Sequence, residues 1–224
     1  MPLFEIEIKS LLGTKDQADL LIEKLKNTDP NLQILGRHSQ LNHYFTGGDL
    51  KLLYENLNSH INEEKKVNFQ ELVSKAKEYS VRTRLADDKV IFVMKLSVDD
   101  TTSSNGTARL EFESIVNLSL DELDAILLNS GFIYQAKWSR DRQEFTYKGK
   151  TVTIDKNAGY GYLAEFEAVI DDVSKTEETK NNLRSIMSEL GVAELNQDRL
   201  ARMFDYYNHN WQDYYGTDKV FTIE

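Results

Sequence analysis

The chain has 224 residues, no cysteine, and 27 Lys and Arg against 37 Asp and Glu, a net charge of −10. That composition excludes disulfide scaffolds, cysteine-ligated zinc, iron–sulfur clusters and thiol nucleophiles. It also argues against nucleic acid as a partner, because phosphate contacts on a duplex are made by Lys and Arg.

Hydrophobic residues make up 40% of the chain, enough to bury a real core. The apolar runs are too short to span a bilayer, and Met1-Pro2-Leu3-Phe4-Glu5 lacks the basic and apolar regions of a signal peptide. A cytoplasmic protein with no membrane partner is expected.

Phe4–Lys9 alternates strictly and reads as a strand. Thr14 suits the N-cap of a helix running to about Asn27, with Ala18, Leu21, Ile22 and Leu25 on one face, and Pro30 closes the unit. A second strand fits Gln40–Phe45, followed by a turn at Gly47-Gly48. Residues 49–79 read as two short helices broken around Asn58–Val67, with Leu50, Leu53 and Leu57, then Phe69, Leu72, Val73 and Ala76, as their covered positions. Strands follow at Tyr79–Leu85, Val90–Leu96 and Thr107–Val116. Asp87-Asp88 serves as a tight hairpin and Asp99–Gly106 as a looser loop.

Ser119-Leu120-Asp121-Glu122 is a capping box opening a helix that stops at Gly131. Three strands are expected at Trp138–Tyr147, Lys150–Asp155 and Tyr162–Ile170, joined by turns at Lys148-Gly149 and Asn157–Gly161. Ser174-Lys175-Thr176-Glu177 reads as another capping box, for a helix ending at Gly191, and a last amphipathic helix covers about Gln197–Asn208. The sum is an α+β fold on an antiparallel sheet of about eight strands, large enough to curl or close. Residues 1–173 form its body, with a helical insertion at about 49–79. Residues 174–224 form a helical extension packed on the same domain.

The chemistry lies in which residues share a strand face. A period of two puts Glu5, Glu7 and Lys9 on one side of the first strand and Phe4, Ile6 and Ile8 on the other. The same parity groups Arg82 with Arg84, Arg109 with Glu111 and Glu113, Arg140 with Arg142, and Glu165 with Glu167. One such face is normally a solvated surface. Across five strands the charges are sorted into carboxylate pairs and arginine pairs, with Lys95 added. Turned inward, they would need to pair with one another, or with a polyanion and a metal. Carboxylates in clusters suit hard cations such as Mg²⁺ or Mn²⁺, and clustered Arg and Lys suit phosphate.

Glu5-Ile6-Glu7-Ile8-Lys9 resembles the E-x-E-x-K signature of the CYTH superfamily, the triphosphate tunnel metalloenzymes. Asn42-His43-Tyr44-Phe45 is similar to that family's tyrosine strand, Val81-Arg82-Thr83-Arg84 to its R-x-R strand, and Phe92–Leu96 to its lysine strand. Arg109–Glu113 resembles the R-x-E-x-E strand, Arg140–Phe145 the basic strand after the middle helix, and Asp155, Gly159–Gly161 and Glu165–Glu167 the closing segment.

The resemblance implies an eight-stranded antiparallel β-barrel that holds a triphosphate lengthwise with Mg²⁺ or Mn²⁺. Glu5, Glu7, Asp155, Glu165 and Glu167 would hold metal, with Glu111 or Glu113 assisting. Lys9, Arg82, Arg84, Lys95, Arg109 and Arg142 would contact phosphate, with Arg140 in competition with Lys137 for a further place. Tyr44 and Lys95 match positions that help activate water in thiamine-triphosphatase-like members.

The activity implied is hydrolysis of inorganic tripolyphosphate or a small organic triphosphate. The alternatives are a class IV adenylate cyclase, or a polyphosphate-binding module without catalysis. A homodimer is compatible with all three. Thr46, where many members carry an acid, and the long 49–79 segment depart from the pattern. His38, His43, His60 and His209 lack metal-ligand spacing. Gly159-Tyr160-Gly161 reads as a turn rather than a phosphate loop.

Overall fold

The computed structural model describes residues 3–76, 78–97 and 109–224, with the side chains of Ser97 and Arg109 outside that description. Among the described residues there are eight strands: β1 (Phe4–Gly13), β2 (Gln33–Gly47), β3 (Tyr79–Ala86), β4 (Lys89–Ser97), β5 (Arg109–Ile115), β6 (Phe132–Tyr147), β7 (Lys150–Asn157) and β8 (Gly161–Ile170). Among the same residues six α-helices flank them: α1 (Lys15–Thr28), α2 (Leu50–Leu57), α3 (Glu63–Lys75), α4 (Leu120–Asn129), α5 (Thr176–Glu189) and α6 (Gln197–Asn210).

The strands pair antiparallel in the order β1-β5-β4-β3-β2-β6-β7-β8, and β8 returns to β1 to close a barrel. In the β1–β5 seam Glu5 lies opposite Arg109. Like β1–β5 and β1–β8, the β2–β6 pairing joins strands that are not consecutive in the chain, and it runs from Gln33↔Thr146 to Gly47↔Phe132.

Apolar and polar faces are distributed the reverse way to an ordinary small barrel. Phe4, Ile6 and Ile8 point outward into a core with Leu21 and Leu25 of α1 and Leu183, Ile186 and Met187 of α5. A second outer core joins Val81, Phe92, Met94 and Phe112 to Leu53, Leu57, Phe69 and Leu72 of the 49–79 insertion and to Leu123 and Leu127 of α4. Burial of these outer faces under helices supplies the hydrophobic stabilisation, which leaves the charged faces to line the interior. Two-residue turns hold the hairpins: Asp87, at φ 55, links β3 to β4, and Lys148-Gly149, at φ 48 and 72, links β6 to β7.

The C-terminal segment covers one end of the barrel. Leu11, Tyr44, Ala136, Trp138 and Leu163 share a cluster with Leu195, Met203, Phe204, Tyr207 and Phe221 of the tail. Trp138 stacks on Tyr207 with centroids 3.6 Å apart, and the Tyr207 hydroxyl donates to the Lys137 carbonyl at 2.8 Å. Leu195 N–H donates to Lys9 O at 2.7 Å, and Phe221 N–H to Gly159 O at 2.8 Å. Among the described residues no helix is long and apolar enough to cross a membrane.

Several expected boundaries shift. β2 begins at Gln33 rather than Gln40, and β6 at Phe132 rather than Trp138. Ile34 (60% exposed), Leu35 (50%) and Ile133 (63%) break the alternation that marks a half-buried strand, and mutual pairing of the two strands sustains them instead. The capping box at Ser119 forms as expected, Ser119 exchanging bonds with Glu122. The one proposed at Ser174 does not. Asp172 accepts from Ser174 N–H and caps a short 3₁₀ turn, so α5 starts at Thr176 behind Lys175, which gives no side-chain cap. The Asp99–Gly106 loop lies outside the described residues.

Candidate active site

The inward positions form three kinds of wall. On β1, β8 and β5 carboxylates dominate; on β3 and β6 arginines do; between β3 and β6, β2 presents the neutral Gln40, Asn42 and Tyr44. Side-chain exposure in this lining ranges from none at Asp155, through 11% at Arg82 and Arg84, to 40% at Glu113. Charges so enclosed must be paired.

Lys95 bridges Glu5 and Glu111 at 2.9 Å each, across the β4–β5–β1 seam. Arg82 donates to Glu111 at 3.2 Å and to the Tyr44 hydroxyl at 2.7 Å. Arg84 donates to Glu113 at 2.9 Å and to the Asn42 carbonyl oxygen at 2.9 Å. Arg142 grips Asp155 with two bonds, at 2.8 and 2.7 Å, and Glu165 at 2.5 Å. Arg140 donates to Asp155 at 3.1 Å and to Gln40 at 2.7 Å. Lys9 pairs with Glu7 and, at 3.2 Å, with Glu165.

Pairing is uneven, and ionisation reflects it. Burial, with Glu111 beside it, pushes the Glu5 carboxyl up to about 8 against the pull of Lys95. Burial also raises Glu167, and the charges of Glu165 and Glu111 add to the rise. Glu111 is buried too, but its bond with Glu5 and the charges of Lys95 and Arg82 hold it well below the usual carboxylate range. Glu165, likewise buried, is held down by Lys9, Arg142 and Arg140. On the opposite wall burial, with Arg82 and Arg140 nearby, lowers Arg84, and burial beside Arg142 lowers Arg140. Burial disfavours a Tyr44 phenolate, yet Arg82 and Arg140 outweigh it and bring that hydroxyl down to about 8.

Glu5, Glu7 and Glu167 each offer a carboxylate oxygen within 4.8 Å of the other two. Three hard oxygen donors at that spacing suit a divalent cation with oxygen preference. Asp155 and Glu165 lie outside that group and pair with Arg140, Arg142 and Lys9, and Glu111 and Glu113 pair with Arg82, Arg84 and Lys95, while Glu5 and Glu7 within it pair with Lys95 and Lys9. Arg109 stands opposite Glu5 in strand register. Arg140 reaches the lining, whereas Lys137 has the opposite parity and lies over the Tyr134 ring at 4.2 Å.

No protein-family model and no curated protein matches the sequence. Solved structures do. A candidate adenylate cyclase from Vibrio parahaemolyticus superposes with a TM-score of 0.61 at 14% identity, covering 92% of this chain and 99% of that one. The PH1819 protein from Pyrococcus horikoshii OT3 gives 0.60 at 22% identity, covering 86% and 93%. HpAC1 from Hippeastrum, a candidate adenylyl cyclase described as having a dominant triphosphatase activity, gives 0.52 at 16% identity, covering 90% and 96%. The chain shares the closed antiparallel barrel fold of these structures.

Within this barrel two lining residues, Gln40 and Asn42, were not singled out by sequence. Their signal was present, since both share the parity of Tyr44 on β2. A further polar cluster sits outside the lumen. Buried His43 shares a 2.6 Å bond with Asp124, which also accepts from Thr83 at 2.5 Å and Tyr134 at 2.7 Å, while the other His43 nitrogen bonds Tyr215 of the tail at 2.9 Å. His43 is a structural residue that ties β2, α4 and the tail together.

Proposed function

We propose that the lumen binds a linear triphosphate with Mg²⁺ or Mn²⁺ and that the protein hydrolyses inorganic tripolyphosphate or a small organic triphosphate. The observation that carries this reading is like-charge crowding on two separate walls. Arg84 and Arg140 are depressed beside other arginines, and Glu5 and Glu167 are raised by burial close to other carboxylates. A polyanion on the basic wall and a dication among Glu5, Glu7 and Glu167 would relieve both.

A metal bound there supplies charge neutralisation and placement of water for an in-line displacement. The side chains do the rest. Arg82, Arg84, Arg140 and Arg142 align the phosphate chain with their planar forks, and Lys9, Lys95 and Arg109 complete the counter-charge. Tyr44, whose oxygen already accepts from Arg82, takes the proton of the attacking water. As water oxygen bonds the terminal phosphorus, the bridging P–O bond breaks and diphosphate leaves with its electron pair.

A cyclase would use the same lining but direct a ribose hydroxyl at the α-phosphorus. HpAC1 and the Vibrio protein together motivate testing both outcomes. Purified protein with Mg²⁺ or Mn²⁺ is offered tripolyphosphate and ATP separately, and products are resolved by chromatography. Phosphate from tripolyphosphate supports the reading, whereas cyclic AMP from ATP without phosphate release would replace it with the cyclase.

A further inference from the structure

We propose that Gln40 and Asn42 are positioning residues that orient two lumen arginines without adding negative charge beside them. Both carboxamides are buried, 7% and 2% exposed, on the strand between the arginines of β3 and those of β6. Gln40 Oε1 accepts from Arg140 Nε at 2.7 Å, and Asn42 Oδ1 accepts from Arg84 Nε at 2.9 Å.

A guanidinium held at Nε cannot turn about its long axis, so its remaining donors face a fixed direction. One terminal nitrogen of each is also held, Arg84 by Glu113 at 2.9 Å and Arg140 by Asp155 at 3.1 Å. Among the described residues no bond is recorded to the second terminal nitrogen of either arginine. That pair of donors is the part left for phosphate oxygens.

Neutrality is the point of the arrangement. A carboxylate of the same shape would make the Nε bond more strongly and would offset the repulsion among Arg82, Arg84 and Arg140. It would also add a second negative charge to each arginine, beside Glu113 on Arg84 and Asp155 on Arg140, and so weaken the attraction for phosphate. The carboxamides therefore give up stability in the empty protein in return for affinity. The inference rests on the lumen being a polyphosphate site, though not on hydrolysis.

The test is Asn42→Asp and Gln40→Glu, titrated with tripolyphosphate by calorimetry in EDTA, with thermal melting of the empty proteins alongside. Each variant is expected to bind about tenfold or more weakly, since an added like charge at a phosphate site costs that much or more, while its Tm equals or exceeds that of the parent. With metal present, KM rises while kcat stays within about twofold. A purely structural role predicts affinity and Tm falling together, and that result overturns the proposal, as does failure of the variants to fold. Parent protein that binds tripolyphosphate no better than its acidic variants overturns this inference alone. Parent protein that binds none overturns both it and the polyphosphate reading.

Discussion

Replacement of Glu5 by glutamine tests the lining at its most crowded carboxylate. Gln keeps the shape of protonated Glu5: its carbonyl can still accept from Lys95, and its amide can donate to Glu111. In the folded protein the Glu5 carboxyl is raised from 4.5 to about 8, so its contribution to stability is intact below pH 4.5 and is lost as pH rises to about 8. A shift of that size is a burden of up to about 5 kcal/mol. Glu5 and Glu111 share one proton, which keeps Glu111 ionised, so the net burden lies below that figure.

Each 1 kcal/mol of such a burden is worth about 2–4 °C in Tm for a chain of this length. Metal-free Glu5→Gln is expected to melt with the parent near pH 4.5, to gain on it as pH rises, and to lead by at least about 2–4 °C at pH 8.5. Mg²⁺ should raise the Tm of the parent and leave the variant unmoved. Scanning calorimetry across pH 4.5–8.5 with and without Mg²⁺ reads both effects. A Tm gap that does not change with pH, or a variant less stable at pH 8.5, would refute the reasoning.

Other perturbations separate the roles. Glu7→Ala removes one of three converging carboxylates and should abolish metal-dependent phosphate release, with Mg²⁺ binding lost in direct titration. Arg82→Ala should raise KM for tripolyphosphate by about tenfold or more with little change in metal affinity; an unchanged KM would remove Arg82 from the phosphate contacts. Tyr207→Ala, which empties the fully buried ring stacked on Trp138, should cost about 3–5 kcal/mol in urea unfolding, against about 1 kcal/mol for Tyr207→Phe, which loses only the bond to Lys137 O. Gly161→Ala meets Gly13 O at 2.4 Å at φ +71, while Gly149→Ala at φ +72 meets nothing within 4 Å. The first should therefore destabilise clearly more than the about 1 kcal/mol of backbone strain expected for the second, and equal losses in denaturant titration would contradict the packing described.

The parity of β1 was enough to place Glu5, Glu7 and Lys9 on one face, and the structure turns that face inward. Alternation cannot say which side of a sheet is inside, because a charged face is the same whether it meets bulk water or a lumen. What identified the lumen was sorting by sign across separate strands. The seven acids and seven bases of the predicted set balance, so the net charge of −10 belongs to the rest of the chain.

Pairing was the part not legible. Asp155 and Glu165 are inward carboxylates like Glu7 and Glu167, but the β6–β7 hairpin sets Asp155 against Arg142, and barrel closure of β8 on β1 sets Glu165 against Lys9, rather than in the three-carboxylate cluster. The two-residue turn at Lys148-Gly149 fixes the first pairing locally, whereas the second depends on register between the first and last strands, which a single sequence does not encode locally. Gln40 and Asn42 escaped because uncharged residues carry no sign to sort. The outer ends of β2 and β6 escaped because they hold exposed Ile34, Leu35 and Ile133 where an amphipathic strand would show polar residues.

The central claim is that a triphosphate is bound and cleaved in this lumen, and ³¹P NMR of tripolyphosphate with the protein and Mg²⁺ addresses it most directly. The account predicts that the tripolyphosphate resonances decay while phosphate and diphosphate grow in equal amounts, and that Glu7→Ala stops both. Resonances that stay unchanged, in position and in intensity, with parent protein in stoichiometric amount would contradict it.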